Sequence, residues 1–470
     1  MTARRRLAVI GGGIAGLAAA YELAETLQGK CELLLLEASS RLGGKIETDL
    51  QAGLTMELGP DSFLSTKPWA AELCQELGLG DSLVGTHPQR RAVFILHRGR
   101  LERLPDGLIM MVPTRLAPLA TTRLLSPPGK LRACLEPLLP RATRRRQESI
   151  ESFISRRFGA ELYQAIVEPM MSGIYAGDGG RLSVDATFPI LREWERQYGS
   201  VALGALALKR KRTAAAGGDG PPSLFLAPRG GLQQLVAALE ARLLRSQVSI
   251  LTRMPVHAIS NGPAGYLLTA GDDQRIPVDG VILATPAFDA ARLLSDFAPA
   301  LASSLDQIEY ASTATVNLAY HDKELADSLD GYGYVIPARE GRPALACSWT
   351  STKFPDRAPP GTALLRVFLG RYGQEHVIDQ PDLVLIEVAR QELSQTMGLN
   401  RKPDLVRLKR WRRAMPQYNL GHAELVKRIE TQARSLPGIA LAGAAYGGIG
   451  IPDCIRSGRQ AARDLASHLG

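Results

Sequence analysis

Short apolar runs separated by glycine-rich turns open the chain. Leu7 to Ile10 reads as a strand, Leu17 to Leu27 has helix-like spacing, and Leu33 to Leu36 reads as a second strand ending in Glu37. From Glu72 the pattern turns helical, and Leu104 to Arg146 mixes Leu, Met and Pro with Arg. An Ala/Gly/Pro-rich stretch, Ala214 to Pro222, reads as a linker. The opening pattern then resumes. Gly230-Gly231-Leu232 leads into an amphipathic helix, Gln233 to Leu244. Val248 to Ile259 reads as a strand interrupted by proline, and Val278 to Ala284 as an apolar strand stopped by Thr285-Pro286. Short strands and turns alternate from about 300 to 405, for example Thr315 to Ala319, Tyr334 to Ile336 and Ala363 to Leu369, and predict a separate mixed or antiparallel sheet. Ala440 to Gly443 ends a strand, and a helix follows from Asp453 to Leu469 with Ile455, Gly458, Ala462, Leu465 and Leu469 on one face. No internal repeat is visible, so the domains are read as interleaved, with the chain returning to its first sheet after the linker.

The first turn carries chemistry. Gly11-Gly12-Gly13-Ile14-Ala15-Gly16 fills the strand-to-helix junction in the Gly-x-Gly-x-x-Gly pattern of a dinucleotide site. Gly11 permits a sharp turn, Gly13 lets backbone approach a pyrophosphate, and Gly16 lets helix and strand pack closely. The helix N-terminus presents unpaired N–H groups and a positive dipole end to phosphate. Glu37, about twenty residues on, is placed to accept from a ribose diol. If the later segment rejoins this sheet, Val256 lies beside the adenine, and Ala284 and Thr285 border the cofactor.

The chain has 470 residues, too many for one ordinary core, which implies two or three domains. A net charge of +9 is clustered at Arg4 to Arg6, Arg144 to Arg146, Lys209 to Arg212, and Arg410 with Arg412 and Arg413. Such clusters fit solvated surface, an anionic substrate or an anionic membrane. Nucleic acid is disfavoured, because no binding motif or aromatic-interleaved basic stripe occurs. The five cysteines, Cys31, Cys74, Cys134, Cys347 and Cys454, form no Cys-x-x-Cys pair and fit a reducing compartment; the seven histidines lack metal-ligand spacing. Arg4 to Arg6 before an apolar stretch mimics an export signal, but that stretch is the nucleotide turn itself, so cleavage is not expected. No run reaches the roughly 18 to 20 apolar residues of a membrane span.

Glu37-Ala38-Ser39-Ser40-Arg41-Leu42-Gly43-Gly44-Lys45 resembles the Arg-x-Gly-Gly-Arg/Lys extension of amine-oxidase-like flavoproteins, which selects FAD over NAD. Arg41 and Lys45 are then cationic donors for phosphate, and Gly44 lets backbone lie along the cofactor. Further blocks, in order, are similar to the oxygen-dependent porphyrinogen oxidases. These are Gly59-Pro60-Asp61-Ser62-Phe63, Ser172-Gly173-Ile174-Tyr175-Ala176-Gly177-Asp178, Arg410-Trp411 with Met415-Pro416-Gln417-Tyr418, and Gly450-Ile451-Pro452-Asp453-Cys454. The matches span nearly the whole chain, and the Ser-Gly-Ile-Tyr-Ala-Gly-Asp block discriminates best. The resemblance implies an α/β fold (α+β overall): a Rossmann-like FAD-binding domain (1–57, 225–300, 425–470), an interleaved mixed-sheet substrate domain (58–92, 203–224, 301–424) and a helical, membrane-associating domain (93–202). It places Gly59, Pro60, Asp61, Ser62, Trp411, Ile449, Gly450 and Ile451 at the flavin. The glycine-rich start of the last helix then faces the ring, where reduction builds negative charge near N1 and C2=O.

Within that family the chain looks most like the Gram-positive bacterial type, understood to oxidise coproporphyrinogen III rather than protoporphyrinogen IX. Animal and plant members carry an Arg just before the strand equivalent to Phe94 to Leu96; here Val93 stands there, with Arg90 and Arg91 upstream. Coproporphyrinogen has four propionates, and Lys67 and Arg91 are the candidate cations. By the same resemblance the Gly173 backbone faces the pyrrole N–H groups, and Val335 and Phe368 contact the macrocycle faces. Loss of six electrons and six protons implies three two-electron cycles with O2 as acceptor. The cofactor carries that chemistry, so no indispensable side-chain acid or base is expected, and Asp178 reads as a cap. The expected location is cytoplasmic, or peripheral on the inner face of the cell membrane, with transient contact to the next haem-pathway enzyme.

Overall fold

The computed structural model describes residues 4–142, 147–215, 223–262 and 265–469, and the side chains of 212–215 and 469 are left aside. Of the expected linker, Ala214 and Ala215 end a helix, and 216–222 lie outside the described residues, as do Arg144 to Arg146. The chain divides into two compact units: Met1–Gly85, Leu224–Glu309 and Glu424–Gly470 form the first, and Thr86–Ser223 with Tyr310–Ala423 the second.

The first unit is built on a five-stranded parallel sheet in the order Ser249–Leu251, Glu32–Leu36, Arg6–Ile10, Gly280–Leu283, Ile439–Leu441. Leu7 registers with Leu33 on one side and Gly280 on the other. The unbroken apolar runs read from the sequence suit strands covered on both faces. Helix Ile14–Leu27 packs beside Gln233–Arg245 and Ile451–Leu469, and Leu17, Leu23, Leu35, Leu235, Leu239, Ile455 and Leu465 form one core. Each such Leu contributes about 1.5–3 kcal/mol of burial. Two glycines allow the close packing. A Cβ on Gly16 would lie 1.9 Å from the Gly11 carbonyl oxygen, and one on Gly458 would lie 2.0 Å from that of Ala15. Strand Arg6–Ile10 is central, and the chain leaves it toward Glu32–Leu36 on one flank and has Gly280–Leu283 on the other. That reversal opens a crevice at the carboxyl ends of the strands, where open α/β sheets bind ligands.

One buried carboxylate braces the return of the chain. Glu57 is 1% exposed; its Oε1 accepts from the Leu232 N–H at 2.8 Å and its Oε2 from Thr48 Oγ1 at 2.8 Å, at the start of helix Gln233–Arg245. An acid there satisfies free N–H groups and complements the helix dipole.

The second unit contains a seven-stranded sheet in the order Leu405–Pro416, Tyr310–His321, Thr362–Leu369, Ala344–Trp349, Gly333–Val335, Val93–His97, Arg100–Arg103. Its pairs are antiparallel except Gly333–Val335 with Val93–His97. Helix Asp382–Met397 buries Leu385, Ala389 and Leu393 against Leu318, Tyr320, Tyr334 and Leu365. The segment 93–202, expected to be helical, differs at its start: Val93–His97 and Arg100–Arg103 form a hairpin on the sheet edge. The two turn residues Arg98 and Gly99 both have positive φ (53° and 76°), which matches the twist of a tight hairpin and follows an aromatic and β-branched run. Helices occupy most of the rest.

Arg157 and Glu136 are wholly buried among these helices and hydrogen-bond directly. The Glu136 carboxylate also accepts from the Val201 and Ala202 N–H groups at 2.9 and 3.2 Å, capping helix Val201–Ala215. Removing either partner would strand a buried charge, at a cost of about 3–5 kcal/mol.

Candidate functional site

In the first unit the glycine turn sits at the carboxyl end of the central strand. Gly11 has φ +107°, a conformation that side chains disfavour, and a Cβ there would lie 2.8 Å from the Ala284 carbonyl oxygen. Gly13 is the N-cap of helix Ile14–Leu27; no side chain caps that end and its first turn holds no acid. Ile14, Ala15 and Gly16 therefore begin a helix whose positive end is left for an external anion. The second glycine pair lies against the first. The Gly43 N–H donates to the Gly12 carbonyl at 2.8 Å, Gly13 bridges Gly43, and a Cβ on Gly44 would meet Gly13 Cα at 3.1 Å.

Glu37 is half-buried and does more than await a ribose. Its Oε2 accepts from the Gly12 N–H at 2.7 Å and its Oε1 from the Ser39 N–H at 2.8 Å, so it also locks the turn. Each oxygen keeps a lone pair for a diol. Ala38 is exposed beside it. Val256 is buried at the start of strand Val256–Gly262, and the preceding Met254 N–H donates to the Glu37 carbonyl at 2.9 Å, which brings this segment to the acidic residue.

The two expected phosphate donors part ways. Arg41 folds onto its own loop, donating to the carbonyls of Leu42, Gly44 and Ile46 and to Glu47 Oε2 at 2.6 Å. Its rigid fork finds four nearby acceptors, so it shapes the loop. Lys45 has an exposed side chain, yet the surrounding protein desolvates its ammonium and lowers its pKa, with the Cys454 thiol opposing. Burial pushes the Cys454 thiol up to about 12, so it stays protonated and is no nucleophile.

Further along the same edge, Gly59, Pro60, Asp61 and Ser62 form a half-buried connection between strands Leu54–Glu57 and Phe63–Leu64, with Ser62 Oγ donating to Asp61 at 2.6 Å. Ile449 and Gly450 are half-buried before the last helix, which begins at Ile451. The ammonium of Lys67, a candidate propionate partner, donates to buried Asp453 Oδ2 at 2.5 Å, because a carboxylate 4% exposed requires a counter-ion. The fit to FAD is testable within this unit. Thr285 Oγ1, just after strand Gly280–Leu283, is buried with no partner among the described residues, and it stands beside the turn, where a Cβ on Gly11 would lie 3.4 Å from Thr285 Cγ2. An orphaned hydroxyl beside a glycine cradle suits a polar, phosphate-bearing ligand.

In the second unit the helical run containing Gly173 is widened by a π turn, Tyr163–Val167, ahead of Glu168–Tyr175. Pro169 explains it, since proline lacks an N–H and its ring would clash with the carbonyl four residues back. Gly173 and Ile174 are exposed on this helix, and a Cβ on Gly173 would be 3.8 Å from Val335 Cγ1. Register places Val335 opposite Ala346, and Ala346 opposite Phe368. These three residues form a row across adjacent strands, and Val335 and Phe368 are half-exposed on strands that are otherwise nearly all buried. Small Ala346 stands between them in that row. No local sequence signal identified it, because its place depends on strand pairing.

Glu168 anchors the helix: its Oε2 accepts from the Ala338 N–H at 3.0 Å, and Arg371 Nη1 is 3.6 Å from Oε1. Burial raises the Glu168 pKa, against the opposing Ala338 hydrogen bond and Arg371 charge. Gln417 Nε2 donates to the Tyr175 carbonyl at 3.0 Å, tying the helix end to the Met-Pro-Gln-Tyr block. Asp178 accepts from the Gly180 N–H at 2.8 Å, a local turn cap. Arg91 is exposed just before strand Val93–His97, and Trp411 is half-buried in strand Leu405–Pro416 with Lys409 over its ring at 5.1 Å. Among the described residues, no group of three or more His, Cys, Asp or Glu is placed to hold a metal, and no helix is long and apolar enough to cross a membrane.

Comparison with known proteins agrees with this geometry. The family model for flavin-containing amine oxidoreductases matches residues 14–466. The coproporphyrinogen III oxidase of Bacillus subtilis (strain 168) is 35% identical over 473 residues, covering 99% of both chains. The protoporphyrinogen oxidase of Homo sapiens is 32% identical, covering 97% of this chain and 98% of that protein. A crystal structure of a protein named as a protoporphyrinogen oxidase, from Exiguobacterium sp. 255-15, aligns over 100% of both chains with TM-score 0.88 and 32% identity. With glycine turn, mixed sheet and full-length relatives in agreement, the chain belongs to the flavin-containing amine oxidoreductases, within the porphyrinogen oxidase family.

Proposed function

We propose that this protein is an FAD-dependent oxidase that converts coproporphyrinogen III to coproporphyrin III. The observation that carries the reading is the full-length similarity to three bacterial proteins named coproporphyrinogen III oxidase, at 33–35% identity, on a chain whose first unit has an FAD cradle. Bound FAD supplies the two-electron acceptor, used three times per macrocycle, with O2 as the terminal acceptor. The chain's own residues bind and orient. In the first unit Gly11 to Gly16 and Gly44 seat the pyrophosphate, Glu37 holds the ribose, Lys45 offers a cation, and Val256 covers the adenine. In the second, the row Val335, Ala346 and Phe368 gives the flexible macrocycle an apolar surface, and the Gly173 carbonyl accepts from pyrrole N–H groups. That contact needs no side-chain acid or base. Arg91, exposed just before strand Val93–His97, is the propionate partner. A charged hydrogen bond of this kind contributes about 1.5–3 kcal/mol, less where solvent screens it.

A basic and apolar surface on the second unit supports a peripheral contact with anionic membrane. Leu116, Leu131 and Leu138 are 70%, 62% and 79% exposed, and Arg115, Arg123 and Arg141 are exposed in the same stretch. Transient contact with the next haem-pathway enzyme belongs to the same reading. Turnover of coproporphyrinogen III and protoporphyrinogen IX, measured under identical conditions, tests the substrate. The four-propionate macrocycle is expected to be preferred, and equal or reversed preference would assign the chain to protoporphyrinogen IX.

A further inference from the structure

The last helix starts on the same edge of the parallel sheet as the Gly11 turn. Strand Ile439–Leu441 runs parallel to Gly280–Leu283, and the chain passes from its carboxyl end through Gly443–Gly450 into Ile451. Asp453, in the first turn of that helix, is 3% exposed. Its carboxylate presses against the glycine turn: a Cβ on Gly448 would lie 2.4 Å from Asp453 Cγ, and one on Gly450 would lie 3.1 Å from Oδ2. A helix N-terminus carries only about half a positive charge, so an uncompensated carboxylate here would reverse its sign. Lys67 Nζ, at 2.5 Å, is the hydrogen-bonded counter-ion. Arg456 Nη2 is farther from Asp453 Oδ1, at 3.8 Å; it donates instead to the Gly447 carbonyl at 2.8 Å, and its guanidinium lies over the Trp69 ring.

We propose that Lys67 is a positioning residue for flavin electrostatics: by neutralising Asp453 it keeps the start of the last helix positive toward the flavin ring and so favours the reduced cofactor. The inference rests on the FAD reading, which sets the Gly447–Ile451 turn against that ring. Lys67 then acts through Asp453 in every cycle. Reduction places negative charge on the ring, and a fixed positive dipole stabilises that charge more than the neutral oxidised form.

The test is the midpoint potential of the FAD-loaded protein, by anaerobic equilibration with a reference dye, for wild type, Lys67→Met, Asp453→Asn and the double variant. Lys67→Met is expected to shift the oxidised-to-reduced ratio at least tenfold toward oxidised, about 30 mV downward for a two-electron couple. Asp453→Asn is expected to shift the potential upward, and the double variant to return toward wild type. A loaded Lys67→Met protein with unchanged potential overturns the proposal, as does an equal shift in Lys67→Met and the double variant. Should Lys67→Met fail to load, Asp453→Asn decides: an upward shift supports the proposal, and no shift or a downward one overturns it. Wild-type protein that takes up no FAD would overturn the cofactor reading itself, a separate result.

Discussion

Replacing Glu37 with Gln separates two jobs that a single carboxylate performs. In the structure its oxygens accept from the Gly12 N–H at 2.7 Å and the Ser39 N–H at 2.8 Å. An amide keeps one acceptor oxygen and turns a donor toward the other N–H, so one backbone group loses its partner. Hydrogen bonds to a charged group contribute about 1.5–3 kcal/mol, and Glu37 is only half-buried, so the low end applies. The bound ribose loses its charged acceptor at similar cost. The turn bond is lost from apoprotein and holoprotein alike, so the ribose share alone, about 1.5 kcal/mol, gives roughly tenfold weaker FAD binding. The assay is quenching of flavin fluorescence on titration into apoprotein, with melting of the apoprotein run in parallel to isolate the turn-locking share. Affinity within twofold of wild type in a variant that folds normally would refute the placement of the ribose at Glu37.

Gly458→Ala forces a Cβ to within 2.0 Å of the Ala15 carbonyl oxygen; overpacking of about 1–3 kcal/mol should lower the melting temperature of apoprotein and holoprotein alike. Phe368→Ala should raise the KM for the porphyrinogen roughly tenfold, from about 1.5 kcal/mol of ring contact, while fluorescence titration shows FAD affinity unchanged. For Glu148 and Glu195, burial pushes the pKa up, but hydrogen bonds from Arg156, joined at Glu148 by Arg192, outweigh it and hold both carboxyls below their ordinary 4.5. Depressed acids stabilise the fold fully above the unfolded pKa and lose that stabilisation as pH falls through the folded one. Melting temperature should therefore drop steeply on acidification below 4.5, and Arg156→Met should flatten that limb while lowering stability at neutral pH.

Local patterns made the first unit readable. A strand, a glycine turn, a helix and a second strand ending in an acid are contiguous in sequence, and the structure forms them within three residues of their expected bounds, the helix starting at Ile14 rather than Leu17. Helix Gln233–Arg245 and strand Gly280–Leu283 were equally visible, because fully buried parallel strands are apolar without interruption. Hydrogen-bonded partners were not. Arg41 and Lys45 look alike as cations four residues apart, yet one closes its own loop and the other is exposed. Lys67 and Asp453 lie 386 residues apart, and no periodicity signals that pair. The row Val335–Ala346–Phe368 also depends on strand register, which only tertiary pairing sets.

Anaerobic mixing of the purified holoprotein with coproporphyrinogen III measures the central claim most directly. Loss of the flavin's visible absorbance on mixing, and its return when O2 is admitted as porphyrin fluorescence grows, is the expected result. A flavin that stays fully oxidised beside the reduced macrocycle would contradict it.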